Sequence, residues 1–367
     1  MSLLLTRSKP SFAFSPRLRR FSLTSHGHER FKILFLGRDE FSCVVMQELF
    51  AAKDVWQNIT VATNPDEKGK AGRVSSPLRM LAEEKLGLPV HLIPQARKDF
   101  KNWEPPEPSS PNHLLITASF GRILPSRIIN LFPRCINVHP SLLPDYRGPA
   151  PIQRAIMNGE TETGVCVIDM LPVTKTKGQG VDTGGVWGCR SMDMPPDATF
   201  PVMRDRLGVE GGRLLVEVLR DMLAGKATRT PQASSASLKP ATAIDFEDAL
   251  VDFTTMTADD IVRRDRAISH QRPITVNHPH PTIGHLQIHS PSVDPSPPSF
   301  VPPEPGQACF SKATKSIMIR CAEGTVLSVP CLKQEGKAKV DAKAWWNGAQ
   351  SLGLVEAKMV DFARVSG

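Results

Sequence analysis

From residue 31 the chain alternates short apolar runs with stretches of helical spacing, the pattern of strands buried between helices. FKILFLG (31–37) reads as a buried strand ending at Gly37, and FSCVVMQELF (41–50) follows with apolar residues at helical intervals. NITVATN (58–64), VHLIP (90–94), LLITASF (114–120) and CINVHP (135–140) repeat the strand signal. PLRMLAEEKLG (77–87) opens on Pro77 and closes on Gly87, the terminal asymmetry of a helix, and PIQRAIMNG (151–159) reads the same way. TGVCVIDM (163–170) and GGVWGCRSMDM (184–194) predict two further strands flanking a loop, and an amphipathic stretch over 199–224 closes the unit. The alternation predicts an α/β domain built on a parallel sheet.

Beyond it the pattern changes. TPQASSASLKPATA (230–243) has the composition of a linker. TADDIVRRDRAI (257–268) predicts a helix whose Thr257 and Asp260 match a capping box loosely, with Asp in place of the usual Glu. PITV, HLQIH, SIMIRC and TVLSVP then predict a small β domain. Residues 291–305 carry seven Pro in fifteen positions and are expected to form a surface insertion, because Pro cannot donate to a central ladder.

A length of 367 residues agrees with two domains, and 40% hydrophobic residues can fill their cores. No apolar run reaches the roughly 20 residues of a membrane-spanning helix, so a soluble protein without membrane partners is expected. The net charge of +8 would invite nucleic acid. Its distribution changes that reading, because residues 1–28 hold five basic residues, six Ser and no acid. This Arg-rich, Ser-rich, acid-poor composition predicts a mitochondrial transit peptide, the alternative being a disordered basic tail. The remainder balances 40 Lys and Arg against 37 Asp and Glu. Seven scattered Cys without a CxxC argue against a disulfide framework or a cysteine-rich zinc site. Cys135 and Cys166 fall in apolar runs and are expected to be buried free thiols.

The candidate chemistry concentrates in INVHPSLLPDYRGPAPIQRAI (136–156). Asn137 and His139, two apart on a strand, leave the same face at its carboxyl end, where open α/β sheets bind ligands. An amide donor beside an imidazole suits acyl transfer, in which an oxyanion develops and a proton moves. A polar strand end with a satisfied histidine is the alternative. GVDTGG (180–185) presents Asp182 in a second polar turn, where an Asp is most often a turn residue. His278, His280, His285 and His289 lie within twelve residues, but the intervening prolines and the lack of a carboxylate favour a surface hairpin over a metal site. FLGRDEF lacks the G-x-G-x-x-G of dinucleotide binding, and no NAD(P) cofactor is expected.

Together, FLGRDEFSCVVMQEL, ASFGRILP (118–125), INVHPSLLPDYRGPAPIQRAI, ETGV (162–165) and VDTG (181–184) resemble the methionyl-tRNA formyltransferase family, in its mitochondrial type. N-x-H-x-S-L-L-P with a distant D-T-G marks 10-formyltetrahydrofolate-dependent transferases, and R-G-x-A-P-I-Q-x-A-I narrows this to the methionyl-tRNA branch. The likeness spans about residues 31–365, dense to 195 and thinner afterwards. It implies a Rossmann-like formyltransferase domain (29–229), the linker (230–243) and an OB-like β-barrel domain (244–367) that helps hold the tRNA. It also implies catalytic roles for Asn137, His139 and Asp182, with no metal. Phe120, Gly121, Ile123, Leu124 and Pro125 would wall the pterin pocket, and Ser141, Leu142, Leu143 and Pro144 would contact the folate. Lys68, Lys70 and Arg73, in the loop after the second strand, would reach the phosphates of initiator methionyl-tRNA, three cations in six residues being a footprint of backbone binding. A monomer acting in the mitochondrial matrix is expected.

The sequence departs from the family in a longer connection between Met170 and Asp182, in SHQRPI (269–274) and in the Pro-rich insertion. Two other readings remain open here: a folate-dependent formyltransferase or hydrolase acting on a small amine such as glycinamide ribonucleotide, and a non-catalytic RNA-binding homologue.

Overall fold

The computed structural model describes residues 29–69, 72–106, 111–172, 180–233, 238–280, 282–295 and 302–362; the leader expected over 1–28 lies outside the described residues. The first part runs β1 (Phe31–Leu36), α1 (Glu40–Ala51), β2 (Trp56–Thr63), β3 (Glu67–Gly69), β4 (Gly72–Val74), α2 (Pro77–Met80) and β5 (Val90–Leu92). It continues through α3 (Arg97–Asn102), β6 (His113–Ala118), α4 (Ser126–Leu131), β7 (Arg134–His139), α5 (Pro151–Met157), β8 (Glu162–Asp169), β9 (Val186–Asp193) and α6 (Phe200–Leu223).

Seven strands form one sheet in the order β5-β2-β1-β6-β7-β8-β9. The first five are parallel, as the alternation predicts, but β8 is antiparallel to β7 and β9 antiparallel to β8. Helix length explains the reversal. The seven residues of α5 rise about 10 Å, whereas β7 is about 20 Å long. The chain therefore re-enters the sheet at the end where it left.

Alternate residues feed two cores. Ile33, Phe35, Ile116, Ile136 and Val138 face α1 and α6, while Leu34, Leu36, Leu115 and Cys135 face Phe100 of α3 and Ile128 and Ile129 of α4. Helix α6 buries Leu207, Leu215 and Leu219 completely, each contributing about 1.5–3 kcal/mol. Glycine brings it close: a Cβ on Gly212 would lie 2.5 Å from Glu48 Cβ of α1, and one on Gly211 2.8 Å from Val138 of β7.

The second part contains α7 (Ala258–Ile268), β10 (Thr275–Asn277), β11 (His285–His289), β12 (Ser292–Val293), β13 (Gln307–Ser311) and β14 (Ser316–Arg320). β15 (Val326–Val329), β16 (Cys331–Gln334), β17 (Val340–Asp341), α8 (Ala342–Ser351) and β18 (Val360–Asp361) complete it. Two antiparallel sheets, β10-β11-β16-β17 and β12-β15-β14-β13-β18, close on a shared core that includes Ile288, Ile319, Leu327 and Leu332. The chain bends from one sheet to the other at Ser290-Pro291, between β11 and β12, and at Pro330, between β15 and β16. β12 falls inside the Pro-rich stretch expected to be an insertion, but only at a sheet edge, where Pro neighbours leave no ladder bond unmade.

The capping box of α7 is complete. Thr257 Oγ1 accepts from Asp260 N at 3.2 Å, and Asp260 Oδ2 accepts from Thr257 N at 3.0 Å, so the shorter acid suffices. Across the junction, Arg154 of α5 forks onto both oxygens of Asp248 at 2.6 and 2.7 Å. Among the described residues no helix is long and apolar enough to cross a membrane.

The linker expected over 230–243 is docked in its described part: Thr230 pairs with Val186, Pro240 bridges to Arg147, and Ala241 is fully buried. Its backbone groups pair with exposed loop edges that would otherwise be left unpaired. Cys166 is not a free thiol. It stands opposite Cys189 in the β8–β9 register and is bonded to it in a disulfide.

Candidate active site

The polar face of β7 follows from its alternation. Ile136 and Val138 point into the α1/α6 core, which turns Cys135, Asn137 and His139 to the opposite face. His139 closes the strand, and the chain then turns through Pro140–Ala150, with Tyr146 and Gly148 at positive φ. Asp182, at φ 56°, sits in the loop that returns to β9. Asp182, more than forty positions along the chain from Asn137 and His139, converges with them. His139 Nδ1 is 3.8 Å from Asp182 Oδ2, and Asn137 Nδ2 is 3.4 Å from Asp182 Oδ1.

Their partners set orientation and tautomer. Thr117 Oγ1 of β6 donates to Asn137 Oδ1 at 2.8 Å, so the Asn137 amide nitrogen faces Asp182. His139 Nε2 lies 2.9 Å from the Tyr146 carbonyl, which can only accept, so Nε2 carries the proton and the Nδ1 lone pair faces Asp182. Gly148 N donates to Asp182 Oδ2 at 3.1 Å. His139 is buried, and Asp182 keeps one fifth of its side chain exposed. Tyr146 is anchored in turn: its hydroxyl donates to Glu160 at 2.5 Å and accepts from Asn158 at 3.0 Å. Burial and the neighbouring Glu160 push the Tyr146 phenol up. Burial also tends to raise the Glu160 carboxyl, but hydrogen bonds from Lys239 and Tyr146 hold it below the usual range. The result is a fixed amide donor, an imidazole with a committed tautomer and a carboxylate able to pair with the imidazolium.

A cleft of about 520 Å³ opens on the same face, lined by Ile129, Phe132, Cys135, Met170 and Trp187, with Asp169 and Arg229 among its polar groups. Met170 Sδ is 3.2 Å from the Thr117 hydroxyl that orients Asn137. The cleft begins at Pro133 and Arg134, at the amino end of β7, and Met170 is the wall residue that links it to the site. Burial, with the Asp169 charge adding to it, pushes the Cys135 thiol up to about 12 and keeps it protonated.

The nine residues expected around the folate are absent from this lining. Phe120 and Leu124 are buried in the apolar cluster behind it, together with Ile129, Phe132 and Cys135. Ile123 is 66% exposed, and Gly121, at φ 75°, and Pro125 bracket it on the turn into α4. Ser141 is buried and donates to the Asp145 carbonyl at 2.9 Å, which stiffens the loop below His139. Leu142 packs on Gly164 of β8, where a Cβ would lie 2.5 Å from its Cδ2, and the Leu143–Pro144 peptide is cis. The wall residues Ile129, Cys135 and Met170 carry a sequence signal that was legible only in part: Cys135 stands two before Asn137 and so shares its face.

Of the three basic residues expected to meet phosphate, Lys68 and Arg73 are cross-strand partners in the β3–β4 hairpin, and Lys70 lies outside the described residues. The hairpin leaves the carboxyl end of β2, which is parallel to β7 and three strands away, about 14 Å across the sheet. Hairpin and His139 therefore share one edge. The histidine cluster does not converge. His278 Nδ1 accepts from His280 N, His280 Nδ1 from Thr282 N, and His285 packs edge-on against Phe246. β10 and β11 form the hairpin expected there.

Comparison with known proteins gives the family. The family described as formyl transferase matches residues 31–219, and the formyl transferase C-terminal domain matches 243–350. A methionyl-tRNA formyltransferase of Symbiobacterium thermophilum is 33% identical over 86% of this chain and 92% of its own. One of Lactiplantibacillus plantarum is 30% identical over 86% and 95%. Among solved structures, WlaRD, a sugar 3N-formyltransferase, aligns with a TM-score of 0.56 at 16% identity over 84% of this chain and 100% of its own, a likeness of fold.

Proposed function

This chain belongs to the methionyl-tRNA formyltransferases and is a formyl-transferring enzyme, and on that premise we propose that it formylates the methionine of initiator methionyl-tRNA from 10-formyltetrahydrofolate in mitochondria. The observation that carries the chemistry is the convergence of Asn137, His139 and Asp182 at the carboxyl end of β7.

The folate is read onto the loops beside the site, with Phe120, Gly121, Ile123, Leu124 and Pro125 on the turn into α4 and Ser141, Leu142, Leu143 and Pro144 after His139. Phe120 and Leu124 share an apolar cluster with the cleft walls Ile129, Phe132 and Cys135, and Met170 of the cleft reaches the Thr117 hydroxyl that orients Asn137. The α-amine of methionine attacks the formyl carbon, the carbon–nitrogen bond to N10 breaks, and the amine proton is passed on to N10. Asn137 Nδ2 donates to the formyl oxygen as charge builds on it. His139, its Nε2 held by Tyr146, takes the amine proton at Nδ1, and Asp182 stabilises the imidazolium. No metal takes part. Fixing these groups beforehand removes reorganisation from the reaction step.

The basic β3–β4 hairpin, on the same sheet edge as His139, supports an approach of the acceptor end from that side, with Lys68, Lys70 and Arg73 on the phosphates. The composition of residues 1–28 supports import into the mitochondrial matrix, the change from a largely parallel sheet before the 230–243 segment to antiparallel sheets after it supports the division into catalytic (29–229) and tRNA-holding (244–367) units, and the reading is of a monomer.

The test is a formylation assay with 10-formyltetrahydrofolate and either methionyl-tRNA or glycinamide ribonucleotide. Formylation of methionyl-tRNA alone is expected. Formylation of the small amine alone would overturn the substrate assignment, and no transfer to either would leave a binding protein.

A further inference from the structure

The segment that joins the two domains passes through the active site, and one side chain in it touches both loops that build the site. Gln232 Nε2 donates to the carbonyls of Asp182 at 2.7 Å and Gly184 at 2.8 Å. Its Oε1 accepts from Arg147 Nε at 2.9 Å and Nη2 at 2.5 Å. The chemistry of the partners leaves one orientation of the amide, because carbonyls only accept and a guanidinium only donates.

Each partner leads to the reacting groups. Asp182 and Gly184 flank the turn that holds the carboxylate opposite His139, with Asp182 at φ 56°, a conformation that needs outside support in a residue with a Cβ. Arg147 lies between Tyr146, whose carbonyl fixes His139 Nε2, and Gly148, whose N–H holds Asp182 Oδ2. The same segment then pairs Pro240 with Arg147, and Ala241 N donates to the Arg147 carbonyl at 2.8 Å before the chain enters the second domain.

We propose that Gln232 is a positioning residue for formyl transfer: an amide cross-brace that sets Asp182 against His139 and ties that spacing to the segment entering the C-terminal domain. The proposal rests on the formyltransferase reading above. It differs from a packing role because Gln232 is half-buried and spends both ends of its amide on the two site loops.

The test compares Gln232→Glu and Gln232→Met in the full chain. Glu keeps the acceptor for Arg147 but turns an oxygen toward two carbonyls, and Met removes donor and acceptor at similar length. Both are expected to lower kcat on the order of 10- to 100-fold with KM for folate and for methionyl-tRNA little changed and the melting temperature near that of the wild type. In an Asp182→Asn background the same changes should cost little more, because a brace that acts through Asp182 has nothing left to position. Wild-type kcat in both variants, or a loss that adds in full to that of Asp182→Asn, overturns the proposal. A wild-type chain that fails to formylate methionyl-tRNA overturns the function reading instead, so the two failures are distinguishable.

Discussion

His139 Nε2 and the carbonyl oxygen of Tyr146 stand 2.9 Å apart, and this one bond decides which nitrogen of the imidazole does the chemistry. The donor role consumes Nε2 and leaves Nδ1 facing Asp182. Replacing His139 with Ala is expected to lower kcat about 10²- to 10⁴-fold, the usual contribution of a general base, with methionyl-tRNA binding at wild-type strength. Steady-state formylation and filter binding measure both. Turnover that survives the change would move the proton transfer to another group.

Gly184 sets the seat of the Asp182 loop. A Cβ there would lie 1.8 Å from the Asp169 carbonyl oxygen at the end of β8, so Gly184→Ala must displace the loop or the strand. The expected outcome is a kcat lower by about 100-fold, the scale for an ångström of misplacement, in a protein that still binds methionyl-tRNA. Unchanged kcat would show that the loop tolerates the shift.

The Arg154–Asp248 fork ties α5 to the segment leading into α7, and both side chains are less than one fifth exposed. Burial tends to raise the Asp248 carboxyl, but the Arg154 hydrogen bonds outweigh it and hold the carboxyl below its ordinary value. A depressed carboxyl contributes stability that is full above its unfolded pKa and is lost as pH falls through the folded one. Arg154→Met should therefore cost about 1–3 kcal/mol at pH 7, between the values for exposed and buried pairs. Urea unfolding at a series of pH values should show the gap to wild type narrowing below about pH 4. A gap that does not vary with pH would assign the cost to packing.

His278 is buried against Phe362, and its pKa is lowered from 6.5 to about 4, by burial first and the nearby His280 second, with Asp361 opposing. The unfolded chain binds this proton more readily, so folded stability falls as pH drops from 6.5 toward 4 and the loss then levels off. Asp265, raised by burial to about 6, acts with the opposite sign and loses its contribution as pH rises through that value. It is common to wild type and variant. His278→Asn keeps an acceptor for His280 N and cannot titrate, so its melting temperature should fall less than that of wild type between pH 7 and 5. Parallel curves would contradict this assignment.

Much of the site was legible as local pattern. The spacing of Asn137 and His139 on an apolar strand placed them on one face, and the turn at GVDTGG offered Asp182 to a loop. The parallel core strands followed from period and from helix end signals such as Pro77. Less legible were features that join distant positions. A thiol in an apolar run looks the same whether Cys189 is opposite it or not, and only the β8–β9 register pairs Cys166. The direction of β8 depended on the shortness of α5, Pro151–Met157, measured against the length of the strand it follows, a comparison between two elements rather than a pattern within one.

The sequence by itself determined the order of elements, the leader-like composition of residues 1–28 and the chemical types at the site, because strand alternation, helix caps and motif spacing are properties of neighbours along the chain. Only the tertiary structure decided that the Tyr146 carbonyl fixes the His139 tautomer, that Ile129, Cys135 and Met170 wall the cleft, and that the 230–243 segment carries Gln232 between two loops. These are bonds and walls between residues far apart in sequence. They exist only once two cores have packed on the sheet and brought the loop backbones within reach of one another.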